Sequence, residues 1–204
     1  MKLKKSVLPA MALVLASIGA APVAANTLTF QGVTFETIAL DADTLRLTID
    51  NVLSGPSGSD NWLNVSWLGA FEIKEIGTVT GATLDSWSGI NLTGWTPTVD
   101  NGLAANAVGC NTGGTPGACF SGTPAAMSDH MVITMSFTGS GLTFDAPHLK
   151  VAFLESSTAA KPTGDLLSQN IPAIPEPETY ALMGLGLGLM GFVARRRRQR
   201  AIAA

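Results

Sequence analysis

The sequence predicts an all-β protein, an antiparallel β-sandwich of the jelly-roll type, with an N-terminal signal helix before it and a C-terminal transmembrane helix after it. Three observations predict this class. Short runs of alternating apolar and polar residues recur through the middle of the chain, clusters of Gly, Pro, Asn and Asp separate them, and no run there has the apolar spacing of an amphipathic helix. We assign residues 26–170 to the β-sandwich, which is enough chain to bury one core.

The individual strands are predicted from alternation with a period of two residues. In residues 44–53, apolar residues such as Leu45 and Leu47 alternate with polar ones, so the strand should bury one face and expose the other to water. Residues 27–40 alternate in the same way, with a turn or bulge expected at Gly32. Further apolar runs that we interpret as strands are residues 61–76, 131–139 and 149–156.

The net charge of −3 is distributed unevenly along the chain. Residues 1–25 carry three lysines and no acids, residues 26–174 carry four basic against thirteen acidic side chains, and residues 175–204 carry five arginines against two glutamates. Binding to nucleic acid requires a basic face on the folded part of a protein, and here that part is acidic. The charge pattern therefore excludes nucleic acid as a partner and indicates ends that face a membrane.

Residues 1–25 are typical of a secretory signal peptide. A short lysine-rich start precedes an apolar stretch over residues 7–20, and small side chains follow it. Cleavage is expected between Ala25 and Asn26, because a permanent anchor would need about 20 apolar residues. The chain would then pass the secretion translocon and fold in a compartment that permits disulfides.

Cys110 and Cys119 are the two cysteines of the chain, and the residues between them are mostly Gly, Thr, Pro and Asn. Such a flexible loop can bring both sulfur atoms together, so we predict a local disulfide that stabilises the fold by about 2–3 kcal/mol. A metal or redox site is the alternative, but there is no C-x-x-C spacing and no histidine beside either cysteine.

Neither histidine lies in a catalytic motif. His130 and His148 both fall near the start of a predicted strand, and the chain has no G-x-S-x-G sequence. We therefore expect surface or strand-end histidines, no catalytic residue and no enzymatic activity. A secreted hydrolase is the alternative, and it would need a Ser–His pair or two acids within catalytic reach in a cleft.

Asp41 and Asp43 form a short D-x-D sequence, the one candidate for a calcium site. Calcium needs several oxygen atoms that converge from a loop, and two acids beside a strand are more typical of a solvated turn. We predict no metal site and no cofactor.

The tryptophans lie among Asn, Ser, Thr and Gly residues, a setting in which exposed rings can stack on sugars. That pattern makes a carbohydrate-binding module of the extracellular polysaccharide the alternative function. The interpretation that we favour places Trp62 and Trp67 in the core and has Trp87 and Trp95 pack loops. The four are Trp62, Trp67, Trp87 and Trp95.

The C-terminal region divides into three predicted segments. Prolines keep residues 171–178 extended as a spacer, because proline fixes φ and disfavours helix before it. Residues 179–194 are expected to form an apolar helix that contacts membrane lipid, and the length of about 22 Å from Tyr180 to Ala194 is short for a bilayer. Residues 195–204 form a basic cytoplasmic tail. The residues expected at the two membrane interfaces are Tyr180, Arg195, Arg196, Arg197 and Arg198.

This C-terminal region resembles the PEP-CTERM sorting signal. The resemblance rests on Pro175, Glu176 and Pro177, on the glycine-rich apolar run and arginine cluster that follow, and on the signal peptide of the same chain. It implies a Gram-negative bacterium that makes extracellular polysaccharide, as in biofilms. It also implies an exosortase, a membrane processing enzyme, that recognises the Pro-Glu-Pro element and processes the tail. The protein would be anchored transiently and then reach the cell envelope or the extracellular space.

Together these inferences predict an exported, non-enzymatic surface or extracellular-matrix protein that carries a C-terminal sorting and anchoring signal.

Overall fold

The structure, a computed structural model, describes residues 25–113, 117–164, 166–173, 183–188 and 190. Residues 1–24 of the predicted signal peptide lie outside the described residues, as does most of the predicted membrane helix. Residues 183–188 and Met190 are helical, and within the described ranges no helix has both the length and the apolar character to cross a membrane. The predicted sorting and flanking residues also lie outside the described ranges: Pro175, Glu176, Pro177, Tyr180, Arg195, Arg196, Arg197 and Arg198.

The described residues are mostly β-strand and the strands pair antiparallel, which confirms the predicted all-β class. The strands are β1 (Ala25–Phe30), β2 (Val33–Ala39), β3 (Thr44–Asp50), β4 (Trp67–Lys74), β5 (Thr78–Ile90), β6 (Thr96–Thr98), β7 (Asn101–Leu103), β8 (Cys110–Gly113), β9 (Gly117–Ser140), β10 (His148–Leu154) and β11 (Leu167–Asn170).

The main sheet is a single curled half-barrel, and in this it differs from the two separate sheets of the predicted jelly-roll sandwich. Its order is β1-β2-β3-β9-β4-β10-β11, with β5 and β6 also paired to β9. The first part of β9 pairs with β4 and β6, and the second part pairs with β3 and β5. One 24-residue strand therefore belongs to both halves of the sheet and bends it around the core.

The length of β9 was not evident from the sequence, which predicts a strand only from residue 131. Pro124 lies inside β9, and proline cannot donate a ladder hydrogen bond. The register of β4 against β9 shifts between Leu68 and Ala70, opposite the segment that contains Pro124. The irregularity accommodates the proline, so the strand continues where its composition predicts a loop.

The core lies inside the curl, as the alternation predicts. Leu45, Leu47 and Ile49 of β3 are fully buried, whereas the polar residues between them are half-buried. Trp62 is buried in an aromatic group, and its ring centroid lies 5.0 Å from that of Phe153 in an edge-to-face arrangement. The predicted strand over residues 61–76 begins only at Trp67, because the preceding turns insert Trp62 into the core.

The turn predicted at Gly32 is confirmed. Phe30 pairs with Val33, which leaves Gln31 and Gly32 as a two-residue hairpin turn with positive φ at both positions. A Cβ atom on Gly32 would lie 2.3 Å from the carbonyl oxygen of Gly55, so both backbone conformation and space require glycine there.

Candidate functional site

The structure contains the Cys110–Cys119 disulfide that the sequence predicts. Cys119 belongs to β9, and Cys110 begins β8 in a two-stranded β7–β8 hairpin outside the main sheet. The bond holds this hairpin over the outer face of β4, β9 and β10. There Cys119 joins Ala70, Leu103 and Ala152 in a second, small buried cluster. We call residues 101–113 with their disulfide the outer cover.

A buried ion pair fastens the outer cover from beneath. Glu72 of β4 is 1% exposed, and its Oε2 lies 3.2 Å from Nζ of Lys150 on the adjacent strand. The same Oε2 accepts the backbone N–H of Leu103 at 3.1 Å, while Lys150 donates to the Leu103 carbonyl at 2.9 Å. The charged pair therefore binds both the N–H and the carbonyl of Leu103, and so holds the outer cover on the sheet.

His130 is the surface residue that the sequence predicts. Its side chain is 65% exposed, and its Nδ1 lies 2.5 Å from Oδ1 of Asp50. The nearby Ser128 hydroxyl donates to the backbone carbonyl of His130 at 2.7 Å, so its hydrogen bond goes to the main chain. This arrangement does not activate Ser128 as a nucleophile.

His148 starts β10, as the strand-end interpretation predicts, but its side chain is only 13% exposed and both ring nitrogens are engaged. Its Nδ1 lies 2.8 Å from Oδ1 of Asn170, and its Nε2 lies 2.9 Å from the hydroxyl of Ser168. The Asn170 amide donates to Glu75 at 3.2 Å, which leaves its oxygen to accept from Nδ1–H. In the neutral imidazole with its proton on Nδ1, Nε2 accepts from the Ser168 hydroxyl, which is the hydrogen-bond order of a serine paired with a general base.

Sequence reasoning missed this group, which we call the His148 cluster (Glu75, His148, Ser168 and Asn170). Ser168 and Asn170 occupy alternate positions of β11, so both face His148 on β10. Alternation along β11 was the available signal, but the pairing partner of that strand was unknown. The cluster lies apart from the lining of a surface pocket of about 360 Å³, which is formed by Glu155 and residues 159–163.

Asp41 and Asp43 form the solvated turn that the sequence favours. Asp41 Oδ1 accepts the backbone N–H groups of Asp43 at 3.0 Å and Thr44 at 2.7 Å. These hydrogen bonds lower the pKa of the Asp41 carboxyl, and the bond from the Asp43 N–H has the largest effect. No group of three or more His, Cys, Asp or Glu residues suited to a metal occurs among the described residues. Absence of a cofactor stays a prediction.

The tryptophans do not form a shared exposed face. Trp62 and Trp95 are buried, and the Trp95 indole N–H donates to the Thr123 carbonyl at 2.9 Å. Trp67 is half-buried in β4, and Trp87 on β5 is 37% exposed. The expected core position is confirmed for Trp62 and is wrong for Trp67. Trp95, expected to pack a loop, belongs to the main core, and Trp87 is the one exposed tryptophan.

The two ends of the β-region meet. Ala25 and Asn26, the residues of the predicted signal cleavage site, start β1, and Asn26 forms an antiparallel bridge with Ala173. The Thr27 N–H donates to the Pro172 carbonyl at 3.2 Å. The first and last described residues of the β-region therefore lie side by side.

The family model of the PEP-CTERM protein-sorting motif matches residues 173–198. The chain carries a PEP-CTERM sorting signal. No curated protein and no solved structure matches the chain. The match begins at Ala173, the residue that bridges to Asn26.

The PEP-CTERM signal indicates an exported protein that is transiently anchored in a membrane and processed by an exosortase. Its recognition element, expected at Pro175, Glu176 and Pro177, falls inside the matched range. The match covers the tail alone.

Proposed function

We propose that this chain is a non-enzymatic surface or extracellular-matrix protein, exported by its signal peptide and delivered to exosortase by its PEP-CTERM signal. The PEP-CTERM match at residues 173–198 carries this proposal. The apolar run at residues 179–194 would hold the protein briefly, with the arginine cluster in the cytoplasm and the body outside. The disulfide of the outer cover supports an oxidising destination.

The intact mass of the mature protein, taken from cells with and without the exosortase, tests this proposal. With the enzyme present we expect a mass that lacks the arginine cluster. Glu176→Ala should block the loss, whereas the matched control Glu178→Ala removes an equal charge outside the Pro-Glu-Pro element and should be processed. A mature protein that still carries Arg195 and Arg200 in cells with the enzyme would contradict exosortase processing.

The body would act by binding or as bulk structure in the envelope or the extracellular polymer. The body is acidic, and the disulfide and the Glu72–Lys150 ion pair hold the outer cover on the main sheet. These features support a durable, soluble unit. A carbohydrate-binding module is the alternative, with Trp87 as the exposed ring that could stack on a sugar. Binding on a glycan array that disappears in Trp87→Ala, but not in the control Leu63→Ala, would favour the module.

A secreted hydrolase is the second candidate, and the His148 cluster is the observation that favours it. In such an enzyme the Ser168 oxygen would attack an electrophile while its proton passed to Nε2 of His148. A fluorophosphonate probe tests this directly, because attack forms a Ser168–phosphorus bond and expels fluoride. Labelling lost in Ser168→Ala and kept in Ser140→Ala would establish a nucleophile. Absence of labelling in the wild type would remove the hydrolase.

A further inference from the structure

The body contains two Asn-x-Ser/Thr sequences, the pattern in which an asparagine side chain of an exported protein accepts a glycan. Residues 64–66 (Asn-Val-Ser) precede β4, and residues 91–93 (Asn-Leu-Thr) lie in the connection from β5 to β6. The middle residue is not proline in either sequence, as the pattern requires. Since the pattern specifies an asparagine and a hydroxyl two residues later, the modifying enzyme must reach both side chains.

The β5–β6 connection presents both of these side chains to solvent. Asn91 and Thr93 are exposed, whereas Leu92 between them is 1% exposed and holds the loop on the core. The Trp95 N–H donates to the Leu92 carbonyl at 3.0 Å, which closes the turn. Asn91 Oδ1 accepts the Thr93 N–H at 3.1 Å, so the asparagine side chain is held beside Thr93.

The two reactive atoms of this sequence are free. Among the described residues, neither Nδ2 of Asn91 nor Oγ1 of Thr93 has a hydrogen-bond partner. The space beside them is open, because a Cβ atom on the next residue, Gly94, would meet no heavy atom within 4 Å beyond its chain neighbours. An enzyme can therefore approach the amide and the hydroxyl without unfolding the loop.

The sequence at residues 64–66 differs in its hydroxyl. Asn64 is exposed, but Ser66 is half-buried, and its N–H donates to the Leu154 carbonyl at 2.9 Å. The Ser66 hydroxyl donates to the Glu155 carbonyl at 3.0 Å, which fastens this segment to the end of β10. An enzyme that must bind the hydroxyl would have to break these contacts, so the fold distinguishes two sequences that the pattern treats as equal.

We propose that Asn91 accepts an N-linked glycan after export and that Asn64 does not. The donor is an oligosaccharide linked to a lipid pyrophosphate, and a membrane glycosyltransferase carries out the transfer. Asn91 Nδ2 bonds to the anomeric carbon, the bond from that carbon to the pyrophosphate oxygen breaks, the pyrophosphate leaves with the electron pair, and Nδ2 loses one proton. The inference rests on the exported state in the proposed function, because the donor is used outside the cytoplasm.

Peptide mass spectrometry of the exported protein from its native cells tests this site. We expect a glycan on the peptide that contains Asn91 and none on the peptide that contains Asn64. Asn91→Gln and Thr93→Ala should each lose the glycan completely, whereas Thr93→Ser keeps a hydroxyl and should retain it. Asn64→Gln is the matched control and should be modified like the wild type. A wild-type protein with an unmodified Asn91 would overturn the proposal.

Two further readings from the same samples sharpen the test. Alkaline β-elimination releases sugars from serine and threonine oxygens, so a glycan on this loop that is released in alkali would contradict attachment to Asn91. The C-terminal peptide reports exosortase processing separately. A processed tail with a bare Asn91 would remove the glycan site alone, and a glycan on Asn91 of a chain that keeps Arg195 would support the site and contradict the processing.

Discussion

Phe71 and Glu72 are successive residues of β4, both are buried, and they are buried by different means. Phe71 points into the curl of the sheet, where its ring stacks on Phe120 at 4.7 Å and on Trp95 at 6.1 Å. Glu72 points to the other face and is enclosed by the outer cover, Lys150 and Leu103. The inner face is stabilised by apolar contact area, whereas the outer face depends on a covalent bond and an ion pair.

This comparison teaches that one strand can be buried on both faces without being apolar on both. The outer cover uses a few fixed polar and covalent contacts to enclose Ala70, Leu103 and Ala152.

The largest effect is expected from the inner face. Phe71→Ala should lower the free energy of unfolding by about 3–5 kcal/mol, because it removes a fully buried ring and leaves a cavity. Urea unfolding followed by circular dichroism measures the change. Phe71→Leu is the matched control and should cost clearly less. A loss below about 1 kcal/mol for the alanine variant would contradict the assignment of Phe71 to the main core.

Loss of the disulfide should come next. The double variant Cys110→Ser/Cys119→Ser should be less stable by about 2–3 kcal/mol, since the unfolded chain regains the freedom of a closed loop of about ten residues. Proteolysis should then begin in residues 101–113 while the inner core stays folded. Wild-type protein in reducing buffer is the control and should match the double variant. Two reactive thiols in unreduced, secreted wild-type protein would show that the bond is not formed.

The ion pair should contribute less than the disulfide. Glu72→Gln keeps an acceptor for the Leu103 N–H but leaves the Lys150 charge unpaired, so we expect a loss of about 1–2 kcal/mol. Lys150 is 14% exposed, and access to water limits the cost. A double-mutant cycle with Lys150→Met isolates the pair. Additive effects of the two changes would show that the charges do not interact.

The smallest effect is expected from the surface carboxylate of Asp129 on β9. The Ser54 side chain and the backbone N–H groups of Leu53 and Ser54 lower the pKa of Asp129. A lowered folded pKa stabilises the fold above the ordinary pKa of 3.8, and this contribution is lost as the pH falls through the folded value. In Asp129→Asn, the melting temperature should change less with pH below about pH 4 than it does in the wild type. An unchanged slope would exclude the contribution.

Strands were predicted correctly where apolar and polar residues alternate without interruption and one face of the strand is exposed to water. The alternation in β1, β2 and β3 was visible because these strands are regular and have one wet face. β5 was missed because its register against β9 shifts three times, which interrupts the period-two pattern. β9 was recognised only in its second half, because Pro124 and neighbouring small residues predict a loop.

The features of the candidate site were likewise predictable only where they depend on neighbouring residues. The Cys110–Cys119 bond could be predicted because it is local and its loop is flexible. The His148 cluster could not, because the pairing of β10 with β11 and β4 brings its members together from three parts of the chain.

The sequence by itself determined the all-β class, the disulfide and the PEP-CTERM sorting signal, because each is encoded by neighbouring residues or by a short contiguous pattern. Only the tertiary structure decided that the sheet curls around one long strand and that His148 faces a serine. It also decided that Asn26 closes against Ala173. Those arrangements depend on contacts between residues distant in the chain, and the register that creates such contacts is set by packing of the whole core.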